Sequence, residues 1–198
     1  MIAFDLSAGA ARRALAPAGI DVEGEEARER YATAVWCQLI EPGDSVAGRI
    51  IGARGPAASL QAVIVGDDLP ELTAKEAADG RKRWLPRLSA GAVAESLATA
   101  AARGVRLVTR GDPEWPTQLD DLGAHAPLCL WVRGDASALT RLQASVAIVG
   151  ARAASGYGDL VARELAAELA GSGIAVVSGG AYGIDGSAHR AALLAGGL

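Results

Sequence analysis

Two short apolar runs, each followed by a glycine-rich segment, constrain the fold of this 198-residue chain more than any other feature. The first run is SVAIVG at residues 145–150, and the second is IAVV at residues 174–177. A continuous apolar run of this length is typical of a strand buried on both faces of a parallel sheet. Amphipathic helices are predicted over residues 158–170 and 186–195. This order predicts an α/β fold that begins a doubly wound parallel sheet.

The first glycine-rich loop, residues 150–158, predicts an anion site. It leaves the carboxyl end of a strand and enters a helix N terminus, where unpaired N–H groups attract negative charge and glycine lets a phosphate approach. Arg152 supplies a guanidinium, which binds phosphate oxygens through two N–H groups, and Ser155 and Tyr157 supply hydroxyls. In the alternative reading, the glycines only close a tight turn and Arg152 is solvated.

The second loop, residues 178–185, also has two readings. Ser178 and the amides of Gly179 and Gly180 extend the anion site, or these glycines only let the loop cross close to its neighbour. Asp185 is expected to cap the following helix, and His189 to pack in it or support the loop. The loops contain no nucleophile with a base and an orienting partner, so we expect no catalysis.

Neither loop has the spacing of a common nucleotide motif. After Gly150 the next glycine comes six residues later, and no lysine follows Lys82. The position that would contact a ribose holds Ser178 and Gly179. These departures disfavour ATP binding and a nicotinamide-dependent dehydrogenase, and we expect no cofactor.

Upstream of the loops, the sequence predicts a loosely ordered, flexible arm over residues 1–25 and a helical domain over residues 26–103. Pro42-Gly43 and Gly55-Pro56 separate the helices. Two strands, GVRLVT and PLCLWVRGD, open a third segment that spans residues 104–198. Apolar residues repeat at helical spacing in the helical domain, for example at Tyr31, Val35, Trp36 and Leu39.

Composition excludes several classes of protein. The chain is 51% hydrophobic with a net charge of −4, which is atypical of disorder. Cys37 and Cys129 are too far apart in sequence to form a ligand pair or a redox motif, a disulfide scaffold is excluded, and no metal site is predicted. Without an export signal or a long apolar run, a soluble cytoplasmic protein is expected, with no membrane contact.

The net charge is uneven along the chain. Residues 1–80 carry 7 basic and 13 acidic side chains, residues 81–144 carry 9 and 6, and residues 145–198 carry 3 and 4. The acidic excess therefore lies in the amino-terminal part and says little about a site in the loops.

The sequences SVAIVGARAASGYG at residues 145–158 and VVSGGAYGIDGSAHRAAL at residues 176–193 closely resemble the DNA-processing protein A family, also called DprA or Smf. Upstream, DPEWPTQL at residues 112–119 and LWVRG at residues 130–134 are also similar to that family. The resemblance implies an extended Rossmann-like domain after a small helical domain of the sterile-alpha-motif or helix-hairpin-helix type.

The resemblance also implies a function. Members of this family bind single-stranded DNA and assist RecA loading during natural transformation and recombination, so single-stranded DNA and the RecA recombinase are the expected partners. A homodimer is expected for a full-length member, although its surface would lie beyond residue 198. A doubly wound sheet needs more than two parallel strands, so we expect the chain to end inside this domain.

Carried over residue by residue, the family pattern assigns DNA phosphate binding to the two loops. Ala151 stands where the family has serine, so one hydroxyl contact is missing while the guanidinium of Arg152 remains. The alternative function is a Rossmann-like nucleotide-binding enzyme, such as a nucleoside-monophosphate phosphoribohydrolase. The residues that the resemblance assigns to phosphate binding are Gly150, Ala151, Arg152, Ser155, Tyr157, Gly158, Ser178, Gly179 and Gly180.

Overall fold

The computed structural model describes residues 4–197, which divide after Ala136 into two compact units. The sequence predicted a boundary between residues 103 and 104, so the first unit is longer than expected. Residues 1–3 of the predicted arm and residue 198 of the predicted third segment lie outside the described residues. Within residues 4–197, every helix is too short or too polar to cross a lipid bilayer.

The first unit combines helices with one antiparallel hairpin. Its two strands, Val105–Thr109 and Cys129–Arg133, pair so that Val105 lies opposite Arg133 and Thr109 opposite Cys129. Short 3-10 segments at Ala16–Ala18, Leu85–Arg87 and Thr117–His125 connect the elements. The elements are α1 (Ala8–Leu15), α2 (Gly24–Leu39), α3 (Ser45–Arg54), α4 (Pro56–Val65), α5 (Ala74–Trp84), α6 (Ala90–Ala102), β1 (Val105–Thr109) and β2 (Cys129–Arg133).

Local sequence explains where several helices begin. The Asp44 side chain accepts hydrogen bonds from the first N–H groups of α3, and Thr73 and Glu76 form a reciprocal capping box at the start of α5. Gly55 has a φ of 82° between α3 and α4, and Pro56 begins α4, where its missing N–H costs nothing. The predicted pair of short helices around Gly55-Pro56 is therefore confirmed.

Two tryptophans occupy the core of the first unit. The rings of Trp36 and Trp84 meet edge to face with centroids 5.3 Å apart, and neither side chain is exposed. Each indole N–H has a polar partner, since Trp36 donates to Ser59 and Trp84 donates to Asp44. These bonds remove the cost of burying a polar donor and fix how α5 packs against the rest of the unit.

The predicted flexible arm is wrong for the residues that the structure describes. Ser7 caps helix α1 by accepting a hydrogen bond from the Ala10 N–H, and Ala11 and Leu15 are fully buried. Helix α1 packs against α2 and α6. The alanine-rich sequence did not indicate that α1 packs in the core. Small residues give little apolar periodicity, although they let helices approach closely.

We expect Leu15→Ala to lower the free energy of unfolding by about 2–5 kcal/mol, because it leaves a cavity in the core. The matched control is Leu122→Ala, since the Leu122 side chain is 52% exposed. This variant should change the free energy of unfolding by less than about 0.5 kcal/mol. Urea unfolding followed by tryptophan fluorescence measures both. Equal costs for the two variants would contradict the assignment of α1 to the core.

A partly buried ion pair joins the hairpin to the helices and explains the later boundary. The guanidinium of Arg30 on α2 donates two hydrogen bonds to the Asp112 carboxylate, at 3.2 and 2.5 Å. Burial alone would raise the pKa of Asp112, but the Thr109 N–H and the Arg30 guanidinium lower it below its ordinary value. Helices α2 and α6 also pack against the hairpin strands, so the hairpin belongs to the helical unit.

The second unit has the predicted order of strand, helix, strand and helix. Its elements are β3 (Ser145–Ala147), α7 (Gly156–Gly171), β4 (Ala175–Val177) and α8 (Ile184–Leu194), after a 3-10 segment at Ala136–Gln143. Strands β3 and β4 are parallel, with Val146 opposite Val176. The α/β fold class is therefore confirmed.

Burial in this sheet differs from the prediction. Ile148 and Val176 pack against alanines of α7 and α8, but all three residues of β3 are exposed. Val149 and Val177 are also exposed, because the described residues of this unit cover only one face of the two-stranded sheet. The apolar run therefore predicted the strand correctly and its burial only in part.

Candidate nucleic-acid interface

The two glycine-rich loops contact each other directly. The N–H of Ile184 donates to the Ala151 carbonyl oxygen at 3.2 Å, and Gly183 lies against the same peptide. A Cβ atom at Gly183 would overlap the carbonyl oxygens of Ala151 and Arg152. A Cβ at Gly150 would lie 2.8 Å from the Ile184 side chain. The loops therefore form one continuous surface at the carboxyl ends of β3 and β4.

We expect Gly183→Ala to destabilise the second unit more than Gly173→Ala. Both glycines have positive φ, 79° at Gly183 and 76° at Gly173, so each substitution costs about 1–2 kcal/mol. Only Gly183 is crowded, and its Cβ should add about 1–3 kcal/mol because the loops must separate. Hydrogen exchange of amides in α7 and α8 measures the difference. Equal protection from hydrogen exchange in the two variants would contradict the close approach of Gly183 to the Ala151–Arg152 peptide.

The carboxylate of Asp185 stabilises the second loop from inside. Asp185 is 6% exposed, and its Oδ2 accepts hydrogen bonds from the N–H groups of Gly179 at 3.1 Å and Ala181 at 3.5 Å. Burial would raise the pKa of Asp185, but hydrogen bonds from backbone N–H groups, chiefly that of Ala181 and also that of Gly150, hold it below its ordinary value. Asp185 is thus an internal anion bound by the second loop.

This arrangement differs from the expected helix cap. Helix α8 begins after Gly183 with no side-chain cap, and Asp185 turns back from its first turn to bind the loop instead. The sequence places Asp185 one residue inside the helix, where its carboxylate reaches the preceding loop more readily than the helix amides. Because Asp185 already occupies the Gly179 amide, an external phosphate cannot bind that N–H unless the carboxylate is displaced.

Because the pKa of Asp185 is lowered in the folded protein, its carboxylate stabilises the fold above the ordinary aspartate pKa, and this contribution is lost as the pH falls through the folded pKa. We expect Asp185→Asn to be destabilised at pH 7, and the difference from the parent chain to shrink below about pH 4. Urea unfolding at both pH values measures this.

The control is Glu168→Gln, because Glu168 is an exposed carboxylate on α7 of the same unit. It should change stability little at either pH. A constant difference between the parent chain and Asp185→Asn from pH 7 to pH 3 would contradict the role of the charged carboxylate.

Hydroxyl groups in the loops also have internal partners. The Ser155 Oγ accepts a hydrogen bond from the Gly158 N–H at 3.1 Å and so caps helix α7. The Ser178 hydroxyl donates to the Ile148 carbonyl oxygen at 2.6 Å and fastens the second loop to the first strand. Both serines therefore shape the loops, and Ser155 keeps its own proton available to a ligand.

Three side chains on the loops face solvent. Arg152 is exposed, and its guanidinium makes no hydrogen bond or ion pair with any residue in the range 4–197. Tyr157, in the first turn of α7, is 78% exposed, and Tyr182 is 89% exposed. Tyr182 immediately precedes Gly183, so its backbone lies beside the Ala151–Arg152 peptide. The surface offers one free cation and two free aromatic rings.

Sequence reasoning missed Tyr182. The signal was present, since Tyr182 is an aromatic residue inside the second glycine-rich loop, as Tyr157 is in the first.

His189 is half-buried on α8 beside the buried Ala188. The structure brings together Gly150, Ala151, Arg152 and Gly183. It places Ser155, Tyr157 and Gly158 at the start of α7. Gly180 lies in the second loop with a φ of 71°.

This surface suits a phosphate chain that carries aromatic bases. A guanidinium binds phosphate oxygens, the N terminus of α7 attracts negative charge, and exposed tyrosine rings offer stacking faces. The buried Ser187 donates a hydrogen bond to the partly exposed Asp159 and so joins α8 to α7, and Arg190 also donates to Ser187 at 3.1 Å. These polar side chains therefore contribute to the packing of α8 against α7.

The carboxyl-terminal part of the chain is similar to a family of known proteins. Residues 106–198 match the family described as DNA recombination-mediator protein A. The match covers 93 residues, just under half of the chain. The chain is also 38% identical over 175 residues to a Mycobacterium tuberculosis protein named as a DNA processing protein DprA, and the match covers 82% of this chain and 42% of that protein.

Shorter matches extend to two other bacteria. The chain is 44% identical over 72 residues to the protein Smf of Escherichia coli, which is 36% of this chain and 19% of that protein. It is 32% identical over 99 residues to a DNA processing protein DprA of Bacillus subtilis, which is 50% of this chain and 33% of that protein. The chain therefore spans less than half the length of these curated relatives.

A solved structure supports the fold. The X-ray structure of DNA processing protein A from Streptococcus pneumoniae superposes with a TM-score of 0.50 at 22% sequence identity. The match covers 85% of this chain and 55% of that one. At this identity the likeness concerns the fold alone, and it extends over both the helical and the parallel-sheet parts.

Proposed function

We propose that the second unit binds the backbone of single-stranded DNA through its two glycine-rich loops. The observation that carries this proposal is that the exposed, unpaired Arg152 and the exposed Tyr157 and Tyr182 lie on two loops that contact each other. The similarity to known proteins gives independent support, since the relatives are named as DNA processing proteins.

The geometry favours single strands over a duplex. Stacking on Tyr157 or Tyr182 requires a base whose face is free, and bases in a duplex have no free face. Arg152 and the N terminus of α7 read only phosphate, so binding should tolerate any sequence. Because the amide of Gly179 is already bound to Asp185, the phosphate contacts concentrate on the first loop and Arg152.

We further propose that this family member acts in the cytoplasm, in recombination and natural transformation, by assisting the loading of a RecA recombinase on the bound strand. A homodimer of the complete protein is part of this proposal. The loops contain no nucleophile, base and orienting group in a catalytic arrangement, and we propose that the chain is not an enzyme. Release of free base from a nucleoside monophosphate would contradict this and favour the phosphoribohydrolase alternative.

We expect Arg152→Ala to weaken binding of labelled oligothymidylate about tenfold or more, because it removes a charge-assisted hydrogen bond to phosphate. The slope of log affinity against log salt concentration should fall by about 0.7, the value for one phosphate contact on a single strand. The matched control is Arg141→Ala, an exposed arginine of the same unit outside the loops. It should leave affinity and slope nearly unchanged. Fluorescence anisotropy over a range of salt concentrations measures both.

The tyrosines provide a second arm of this experiment. Tyr157→Ala or Tyr182→Ala should lose about 1–3 kcal/mol for each stacked base, whereas the phenylalanine variants should retain it. Equal losses in Arg152→Ala and Arg141→Ala would overturn the phosphate assignment. Equal losses in the alanine and phenylalanine variants would overturn the stacking assignment.

A further inference from the structure

The fold brings the two cysteines of the first unit together. Cys37 lies on α2 and Cys129 is the first residue of β2, and their Sγ atoms are 2.8 Å apart although 92 positions separate them in sequence. The sequence-based expectation that they are too distant to act as a pair is therefore wrong. The contact arises because α2 packs against β2, which the hairpin places beside it.

A small solute can reach this pair. Both thiols are only partly buried, and both line a pocket of 160 Å³ whose wall is mainly apolar. Cys37 also lines a wider surface groove of 490 Å³. Trp131, which is 42% exposed, borders both spaces. The cysteines thus differ from core thiols, which no reagent reaches without unfolding.

The Cys37 thiol is held in its protonated form. The hydrogen bond between the Cys37 and Cys129 sulfurs and then burial raise the pKa of the Cys37 thiol above its ordinary value. A thiol reacts as its thiolate, so Cys37 reacts more slowly than an exposed, low-pKa cysteine.

We propose that Cys37 and Cys129 form an oxidisable dithiol, which a peroxide converts into an intramolecular disulfide between α2 and β2. One thiol loses its proton and its sulfur attacks the peroxide O–O bond, which leaves a sulfenic acid and one water. The second sulfur then displaces the sulfenic hydroxyl, which leaves with the remaining thiol proton as a second water. Two sulfurs are oxidised and one hydrogen peroxide is reduced.

The disulfide would tie the hairpin covalently to the helices. It closes a loop of 92 residues, and cross-links across loops of this length restrict the unfolded chain strongly. We expect the thermal midpoint of the first unit to rise by about 10 °C on oxidation and to return on reduction. The proposal does not depend on the DNA-binding role of the second unit.

The test treats the folded full chain with hydrogen peroxide, blocks free thiols by alkylation, and maps peptides without reduction. We expect a mass lower by two hydrogen atoms, a peptide pair joined through Cys37 and Cys129, and reversal by dithiothreitol. Oxidation of the single methionine, Met1, is read separately in the same map. Cys37→Ser and Cys129→Ser are the controls, and neither should show the mass loss or the rise in thermal midpoint.

Three outcomes would overturn the proposal. These are full alkylation of both cysteines after peroxide treatment, addition of oxygen to one cysteine without a cross-link, and a disulfide that joins two chains. The decisive measurement uses the parent chain, so a poorly folded serine variant would not obscure it.

Discussion

The buried carboxylate of Asp185 is the interaction on which the rest of the loop surface depends. It accepts hydrogen bonds from Gly179 and Ala181 in the second loop, and the backbone of Gly150 at the end of the first strand also contributes to its lowered pKa. Without this internal anion, the amides of Gly179 and Ala181 would lose their hydrogen-bond partner. Gly183 can then lie against the Ala151–Arg152 peptide, and the two loops act as one surface.

The internal anion also shapes what the surface can bind. A loop whose amides already hold a carboxylate has less room for an external phosphate, so binding moves toward the neighbouring loop. Of the arginines after residue 136, Arg163 pairs with Asp159 and Arg190 donates to Ser187. In the part of the chain that the structure describes, Arg152 is therefore the free guanidinium of the loops. A net charge of −4 for the whole chain does not reveal such a site.

Sequence alone predicted the order of elements in the second unit and the pairing of glycine-rich loops, because short apolar runs and glycine spacing are local signals. It also predicted the helices around Gly55-Pro56. It missed helix α1, whose packing depends on partners distant in sequence. It missed the Cys37–Cys129 contact for the same reason. It assigned Asp185 to a helix cap because sequence does not show which way a side chain turns, and it passed over Tyr182 because exposure depends on the fold.

The most direct test of the central account is photo-crosslinking of the full chain to a single strand that carries 5-iododeoxyuridine, with the modified residues identified by mass spectrometry. Iododeoxyuridine crosslinks preferentially to aromatic side chains that stack on it. If the two locked loops form the DNA surface, the crosslinks fall on Tyr157 and Tyr182 and disappear when unlabelled single strand competes. Crosslinks confined to Trp131 or to other residues of the first unit would contradict the account.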